Sequence, residues 1–188
     1  MTVVDDFFRR GFPFAVYRIP GEEHVHLLVQ TVRSTCRIMN RVEELNGLRG
    51  FVIAPFCPNS ATPVVLIEPD RRESILWDES DRMTVEECQK ERNSFLHFSS
   101  QEFEKLVLSR SVSLARPENF SPIAAFRMAC RCYVYSYVFL CYTPQTGIWL
   151  GSTPEIILSG KEEKWKTVAL AGTQPLQDGQ LPKHWDEK

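Results

Sequence analysis

Short apolar runs separated by turn-forming residues dominate the first third of the chain. FAVYRIP and HVHLLVQ flank a Pro-Gly turn at 20–23, and RGFVIAPF and TPVVLIEPD are bounded by Gly, Pro and Asp. Runs of this kind are typical of strands rather than helices, so residues 1–83 are predicted to be β-rich. His24 and His26 fall on one face of the second strand. Two histidines at this spacing could ligate a metal, but we interpret them as the polar face of an edge strand.

The pattern over residues 84–188 predicts helix followed by more strands. Thr84 with Glu87 is a capping box, which predicts a helix over 85–97, and Ser121 with Pro122 suits the start of a second, shorter helix. The runs CYVYSYVFLCY, GIWLGS, EIILSG and WKTVALAG then have the rhythm of an antiparallel meander of at least four strands. The order of elements predicts an α+β fold, an antiparallel sheet meander with packed helices, in a single domain over 1–188.

Composition narrows the class of protein. The chain has 188 residues, 43% hydrophobic and 24% charged, as in ordinary globular domains. Its formal net charge of −2 provides no basic field for nucleic acid. No apolar stretch is long enough for a membrane helix and the N-terminus lacks signal-peptide order, so we expect a cytoplasmic protein with no membrane contact. The six cysteines lack zinc-site spacing and are expected to be reduced thiols.

Three segments place polar groups at predicted strand ends: EKLVLSR, GSTPEIIL and ALAGTQP. Each has an ordinary structural explanation, since Lys105 could be a charge at a strand edge, Glu155 a solvated residue, and Gly172 part of a β-turn. Together, in this order, they resemble the chorismate-utilising enzymes, which include anthranilate, aminodeoxychorismate, isochorismate and salicylate synthases. The resemblance spans 84–188 and implies the α/β sandwich of that family and chorismate as the small-molecule substrate.

Two positions within these segments distinguish branches of the family. Members that add ammonia to the ring usually have Gln where this chain has Lys105, whereas members that add water have Lys. Aminodeoxychorismate synthases typically carry a reactive lysine where this chain has Ala171. The resemblance therefore implies an isochorismate synthase, serving menaquinone or siderophore synthesis, with Lys105 as general base and Glu155 as general acid. It further implies that Leu170, Ala171, Gly172 and Thr173 form a turn beside the substrate.

The resemblance also implies a partner region and a cofactor. Family members are longer than this chain, and their second half supplies the carboxylates that hold Mg²⁺, so we assign no metal ligand within residues 1–188. We accordingly expect a truncated chain, inactive alone, whose exposed sheet faces favour self-association.

Other readings of the same residues stay open. Salicylate synthase shares the lysine and then eliminates pyruvate, and an anthranilate synthase component is disfavoured by Lys105. A protein of another class, a non-catalytic binding domain that keeps the sheet, would also fit the strand pattern.

Overall fold

The computed structural model describes residues 3–76, 111–154, 158–161 and 164–167. The chain divides into two compact units, Met1–Ser152 and Thr153–Lys188. The predicted helix over 85–97 lies outside the described residues, and the single-domain interpretation stays a prediction. Neither helix in the described ranges has the length and apolar character that crossing a bilayer requires.

The larger unit is built on a five-stranded sheet. Its strands are β1 Phe14–Arg18, β2 His24–Val29, β6 Arg71–Leu76, β7 Tyr137–Thr143 and β8 Gly147–Thr153, in the order β6-β2-β1-β7-β8. The predicted hairpin of β1 and β2 is confirmed, with Ala15 paired to Leu28, and β1 pairs on its other side with β7. Strands far apart in the chain therefore meet at the centre of the sheet.

In the part of the chain that the structure describes, two helices cover one face of this sheet, which we call the helix face. α1 is Val3–Arg9 and α2 is Pro122–Cys132. The start of α2 is confirmed where it was predicted, because Ser121 Oγ accepts a hydrogen bond of 3.3 Å from the Ala124 amide. The buried side chains of the two helices pack on alternate residues of β1, β2 and β7. This core contains Phe7, Phe14, Val16, Val25, Leu27, Val29, Ile123, Phe126, Cys130, Val138 and Leu140.

A three-stranded sheet packs on the opposite face, which we call the second face. It contains β3 Arg37–Met39, β4 Phe51–Ile53 and β5 Val64–Ile67 in the order β3-β5-β4, with a short 3₁₀ helix at Val42–Leu45. Burial here is apolar, and the cluster contains Ala15, Cys36, Val65, Ile67 and Cys141. The predicted strands in RGFVIAPF and TPVVLIEPD are thus confirmed as β4 and β5.

The smaller unit contains a hairpin of β9 Ser159–Lys161 and β10 Lys164–Lys166. The sequence predicted one meander from the last four apolar runs, and this detail is wrong. β7 and β8 belong to the five-stranded sheet, whereas β9 and β10 pair with each other in a separate sheet. The antiparallel α+β class itself is confirmed.

The cysteines agree with the expected reduced state at all but one described position. Cys36, Cys57, Cys130 and Cys141 are free thiols. Cys132 is disulfide-bonded, so the expectation was wrong there, because spacing along the chain does not reveal tertiary neighbours. Burial raises the pKa of Cys141 to about 12, and burial outweighs the lowering effect of Arg18 to raise that of Cys130 to about 11. Both thiols are therefore protonated near neutral pH and are poor nucleophiles.

Candidate functional site

The residues to which the sequence assigns chemistry lie outside the described residues. They are Lys105, Glu155, Leu170, Ala171, Gly172 and Thr173. Their mutual placement stays a prediction. The described part of the second motif, residues 151–154 of GSTPE, is the end of β8 and the proline that follows it.

The turn between β7 and β8 is held by side-chain hydrogen bonds. Thr143 Oγ1 accepts from the Thr146 amide at 3.0 Å and lies 2.8 Å from Thr146 Oγ1. Gly147 follows with φ of +74°, a left-handed conformation that glycine adopts without a Cβ clash. Trp149 Nε1 then donates to the Thr146 carbonyl at 2.9 Å. The strand that carries the motif thus begins from a well-defined turn.

Gly151, the first residue of the GSTPE motif, lies under an aromatic ring. A Cβ at this position would lie 2.4 Å from Cε1 and 2.5 Å from Cζ of Phe139 on the neighbouring strand β7. Phe139 cannot easily move aside, because its ring contacts those of Phe51 and Tyr137 at centroid distances of 6.1 Å and 6.2 Å. Only glycine fits at 151 without displacing this packed ring.

Phe139 belongs to a group of aromatic side chains on the second face, which we call the aromatic row. Tyr17 stacks on His26 with a centroid distance of 5.1 Å and on Tyr137 with a distance of 5.5 Å. The row contains His26, Tyr17, Tyr137, Phe139 and Phe51. Sequence reasoning missed it, although the alternation in FAVYR and YVFLCY already puts Tyr17, Tyr137 and Phe139 on one side of their strands.

His26 of β2 belongs to the aromatic row, and its neighbours account for its position without a metal ion. His26 Nε2 lies 2.7 Å from Glu22 Oε2, and its ring is stacked on Tyr17. His24 is exposed. Within the described ranges, no three His, Cys, Asp or Glu side chains are grouped so that they could hold a metal ion. His24 and His26 do lie on one face of β2, but the expectation of an edge strand was wrong, because β2 pairs with β1 on one side and with β6 on the other.

A buried cation links β1 to α2. Arg18 is only 6% exposed and donates from Nη1 to the Cys130 carbonyl at 2.6 Å and from Nη2 to the Tyr133 carbonyl at 2.6 Å. A weaker contact of 3.4 Å joins Nη2 to the Ser136 carbonyl. These are carbonyls at and just beyond the helix C-terminus, where a positive charge is favourable. Arg18 thus fixes the chain at the point where α2 leads into β7.

Comparison with known proteins agrees with the motif interpretation. Residues 65–183 match the family described as chorismate binding enzyme, a stretch that covers more than half of the chain and includes all three motifs. The chain belongs to the chorismate binding enzyme family. No curated protein and no solved structure matches the chain.

Proposed function

We propose that this chain carries the catalytic residues of an isochorismate synthase. Membership of the chorismate binding enzyme family supports chorismate as the ligand, and the proposal depends most on this observation. The matched stretch, residues 65–183, contains both Lys105 and Glu155. The choice of reaction depends on the lysine at 105 in KLVLSR and on the alanine at 171 in LAGT. Both residues differ from those typical of the branches that add ammonia or form a covalent intermediate.

In the proposed reaction, the neutral amine of Lys105 removes a proton from water as the water oxygen bonds to ring carbon 2 of chorismate. The ring double bonds shift, the bond from carbon 4 to its hydroxyl breaks, and Glu155 protonates the departing hydroxyl. One water enters and one leaves, so the net change is an isomerisation. A lysine serves as a base near neutral pH only when its pKa is lowered, which apolar neighbours such as Leu106 and Val107 favour. A carboxyl that serves as the acid needs the opposite shift.

Leu170, Ala171, Gly172 and Thr173 are proposed to form the turn beside the substrate, where glycine permits close approach of the backbone and threonine offers a hydroxyl. The resemblance also predicts Mg²⁺. The described residues do not fit this ion, since no suitable group of ligands occurs among them. The resemblance implies that the Mg²⁺ ligands come from the second half of family members and not from residues 1–188.

Product analysis tests the reaction class. This 188-residue chain, and the same reading frame continued to its natural stop codon, are incubated with chorismate and Mg²⁺, and the products are separated by chromatography. Isochorismate as the product supports the proposal. Salicylate with pyruvate would assign the salicylate synthase reaction instead, and anthranilate formed with ammonia would exclude the role of Lys105. Chorismate that is bound but not consumed by either form would favour a binding domain.

The roles of the two residues are tested by isosteric exchange. Lys105→Met and Glu155→Gln should each lower kcat by about 10²–10⁴-fold, the usual contribution of a general acid or base. Lys164→Met and Glu118→Gln make the same exchanges at exposed positions and should leave kcat unchanged. A Lys105 or Glu155 variant that retains most of the parent activity and remains folded by circular dichroism would refute its assigned role.

A further inference from the structure

We propose that Asp70 is an acid-sensitive latch between the two sheets of the larger unit. While its carboxylate is ionised, it holds together the two chain segments by which the three-stranded sheet is attached. The inference goes beyond the proposed reaction, because it uses described residues of the larger unit and involves no substrate. It predicts that acid loosens the cover of the second face before the whole protein unfolds.

The three-stranded sheet is inserted between two neighbouring strands of the five-stranded sheet. The chain leaves β2 through residues 30–36, which we call the first crossing, and returns from β5 to β6 through residues 68–70, the second crossing. β2 and β6 are paired, with Val29 opposite Arg71, so the two crossings lie side by side where they meet the five-stranded sheet. A movement of the three-stranded sheet as one body must therefore bend the chain at these two crossings.

Gln30 joins the two crossings from the inside of the protein, where it is buried. Its Nε2 donates to the carbonyls of Arg33 and Thr35 at 2.8 Å and 2.9 Å within the first crossing. Its Oε1 accepts from the Glu68 amide of the second crossing at 2.8 Å. All of these groups are uncharged, so this inner link does not respond to pH.

Asp70 joins the same two crossings from the outside. Its Oδ2 accepts from the amides of Thr31 and Val32 at 2.7 Å and 2.8 Å, and its Oδ1 accepts from Thr31 Oγ1 at 2.8 Å. The Asp70 amide donates to the Val29 carbonyl at 3.1 Å, which fixes its backbone on β2. An ionised carboxylate makes hydrogen bonds roughly twice as strong as a neutral group does. Because Asp70 is exposed, a proton can reach it while the crossings are still closed.

Acid should weaken this outer link and spare the inner one. Burial raises the pKa of Asp70, but the hydrogen bonds from Val32 and Thr31 outweigh it and hold the pKa below its ordinary value. The contribution of the latch is therefore complete above about pH 4, the ordinary pKa of an unfolded aspartate, and is lost as the pH falls through the folded-state pKa. The other charged side chains in or next to the crossings belong to Arg33, Arg37, Glu68, Arg71, Arg72 and Glu73. Glu68 is paired with Arg37 at 3.1 Å and Glu73 with Arg71, so a control must separate Asp70 from Glu68.

Cys36 gives a direct measure of opening, because it ends the first crossing. It is buried in the apolar cluster that also contains Cys141 of β7, and burial, with a smaller contribution from Glu68, raises its pKa to about 11. In the closed protein it is therefore a shielded thiol of low reactivity. A dipyridyl disulfide labels accessible thiols in acid by thiol–disulfide exchange, and peptide mass spectrometry assigns each label. Labelling of the exposed Cys57 corrects for the effect of pH on the reagent, and labelling of the buried Cys141 reports unfolding of the whole unit.

The experiment compares the rate of Cys36 labelling, relative to Cys57, between pH 6 and pH 3. Asp70→Asn is neutral at every pH and should be labelled at Cys36 about tenfold faster than the parent at pH 6. As the pH falls to 3, the parent should rise to the level of this variant, while Cys141 stays unlabelled. Glu68→Gln is the matched control, since it neutralises the other carboxylate of the second crossing and should keep the rise seen in the parent. Thr31→Val removes one of the three hydrogen bonds and should raise Cys36 labelling at pH 6 by about threefold.

A parent whose Cys36 labelling does not change with pH, or changes only together with that of Cys141, overturns the inference. An Asp70→Asn variant that follows the pH dependence of the parent, or a Glu68→Gln variant that loses it, does the same. Where Asp70→Asn does not fold, Thr31→Val decides: faster Cys36 labelling at pH 6 supports the latch, and unchanged labelling overturns it. No readout requires turnover of chorismate, so a failure of the latch and a failure of the proposed function are distinguishable.

Discussion

The two faces of the five-stranded sheet are covered in different ways. On the helix face, α1 and α2 bury a continuous apolar core with Arg18 as its polar link to the helix end. The second face is divided between an apolar cluster under the three-stranded sheet and the half-exposed aromatic row. The motif glycine, Gly151, lies against Phe139 of that row. The helix face therefore buries one continuous core around its two helices, whereas the second face combines a buried cluster with the aromatic row against which Gly151 packs.

The largest expected effect comes from opening the core of the helix face. Phe126 on α2 is 1% exposed, and Phe126→Ala should lower the free energy of unfolding by about 3–5 kcal/mol through lost burial and a residual cavity. Phe56→Ala removes a phenyl ring at a fully exposed position and should change the free energy of unfolding by less than about 0.5 kcal/mol. Urea unfolding measures both. Equal effects would mean that this face does not dominate stability.

The next largest effect is expected from removing the hydrogen bonds that Arg18 makes to the end of α2 on the same face. Arg18→Leu keeps an apolar stem but leaves the carbonyls of Cys130 and Tyr133 without their donor, and it should cost about 2–3 kcal/mol. Arg37→Leu is the matched control, since its pair with Glu68 at 3.1 Å is exposed and should contribute less than about 1 kcal/mol. Urea midpoints again give the comparison. An Arg18→Leu variant as stable as Arg37→Leu would show that the helix end does not need its cap.

Local sequence patterns predicted the elements better than their arrangement. The hairpin of β1 and β2 and the cap at Ser121 depend on neighbouring residues, and both are confirmed. β6 was missed because Arg71, Arg72 and Glu73 give it the polar character of a sheet edge. The pairing of β1 with β7 was not predictable either, because contacts between distant segments leave no periodic signal in either one.

The candidate site shows the same limit. Its motifs were recognised because their residue types resemble those of a known family, and the family match confirms that membership. The support for the motif strand was not recognised, although Gly151 and Phe139 are both visible in the sequence. A glycine in a strand signals close approach of another group, but the ring that approaches comes from a neighbouring strand whose register only the fold defines.

The smallest expected effect is a loss of stability at alkaline pH that depends on the hydroxyl of Tyr137 on the second face. Burial, with smaller contributions from Tyr17 and Cys141, raises the pKa of Tyr137 above its ordinary value of 10. The unfolded chain therefore loses this proton first, so the stability contribution of Tyr137 is complete below about pH 10 and is lost as the pH rises above it. Between pH 9 and pH 11 the parent should lose about 1 kcal/mol more than Tyr137→Phe, as measured by urea unfolding at each pH. Tyr135→Phe, where the ring is 85% exposed, should lose as much as the parent. If Tyr137→Phe also followed the parent, the hydroxyl of Tyr137 would be solvated in the folded protein, which would contradict its burial within the aromatic row.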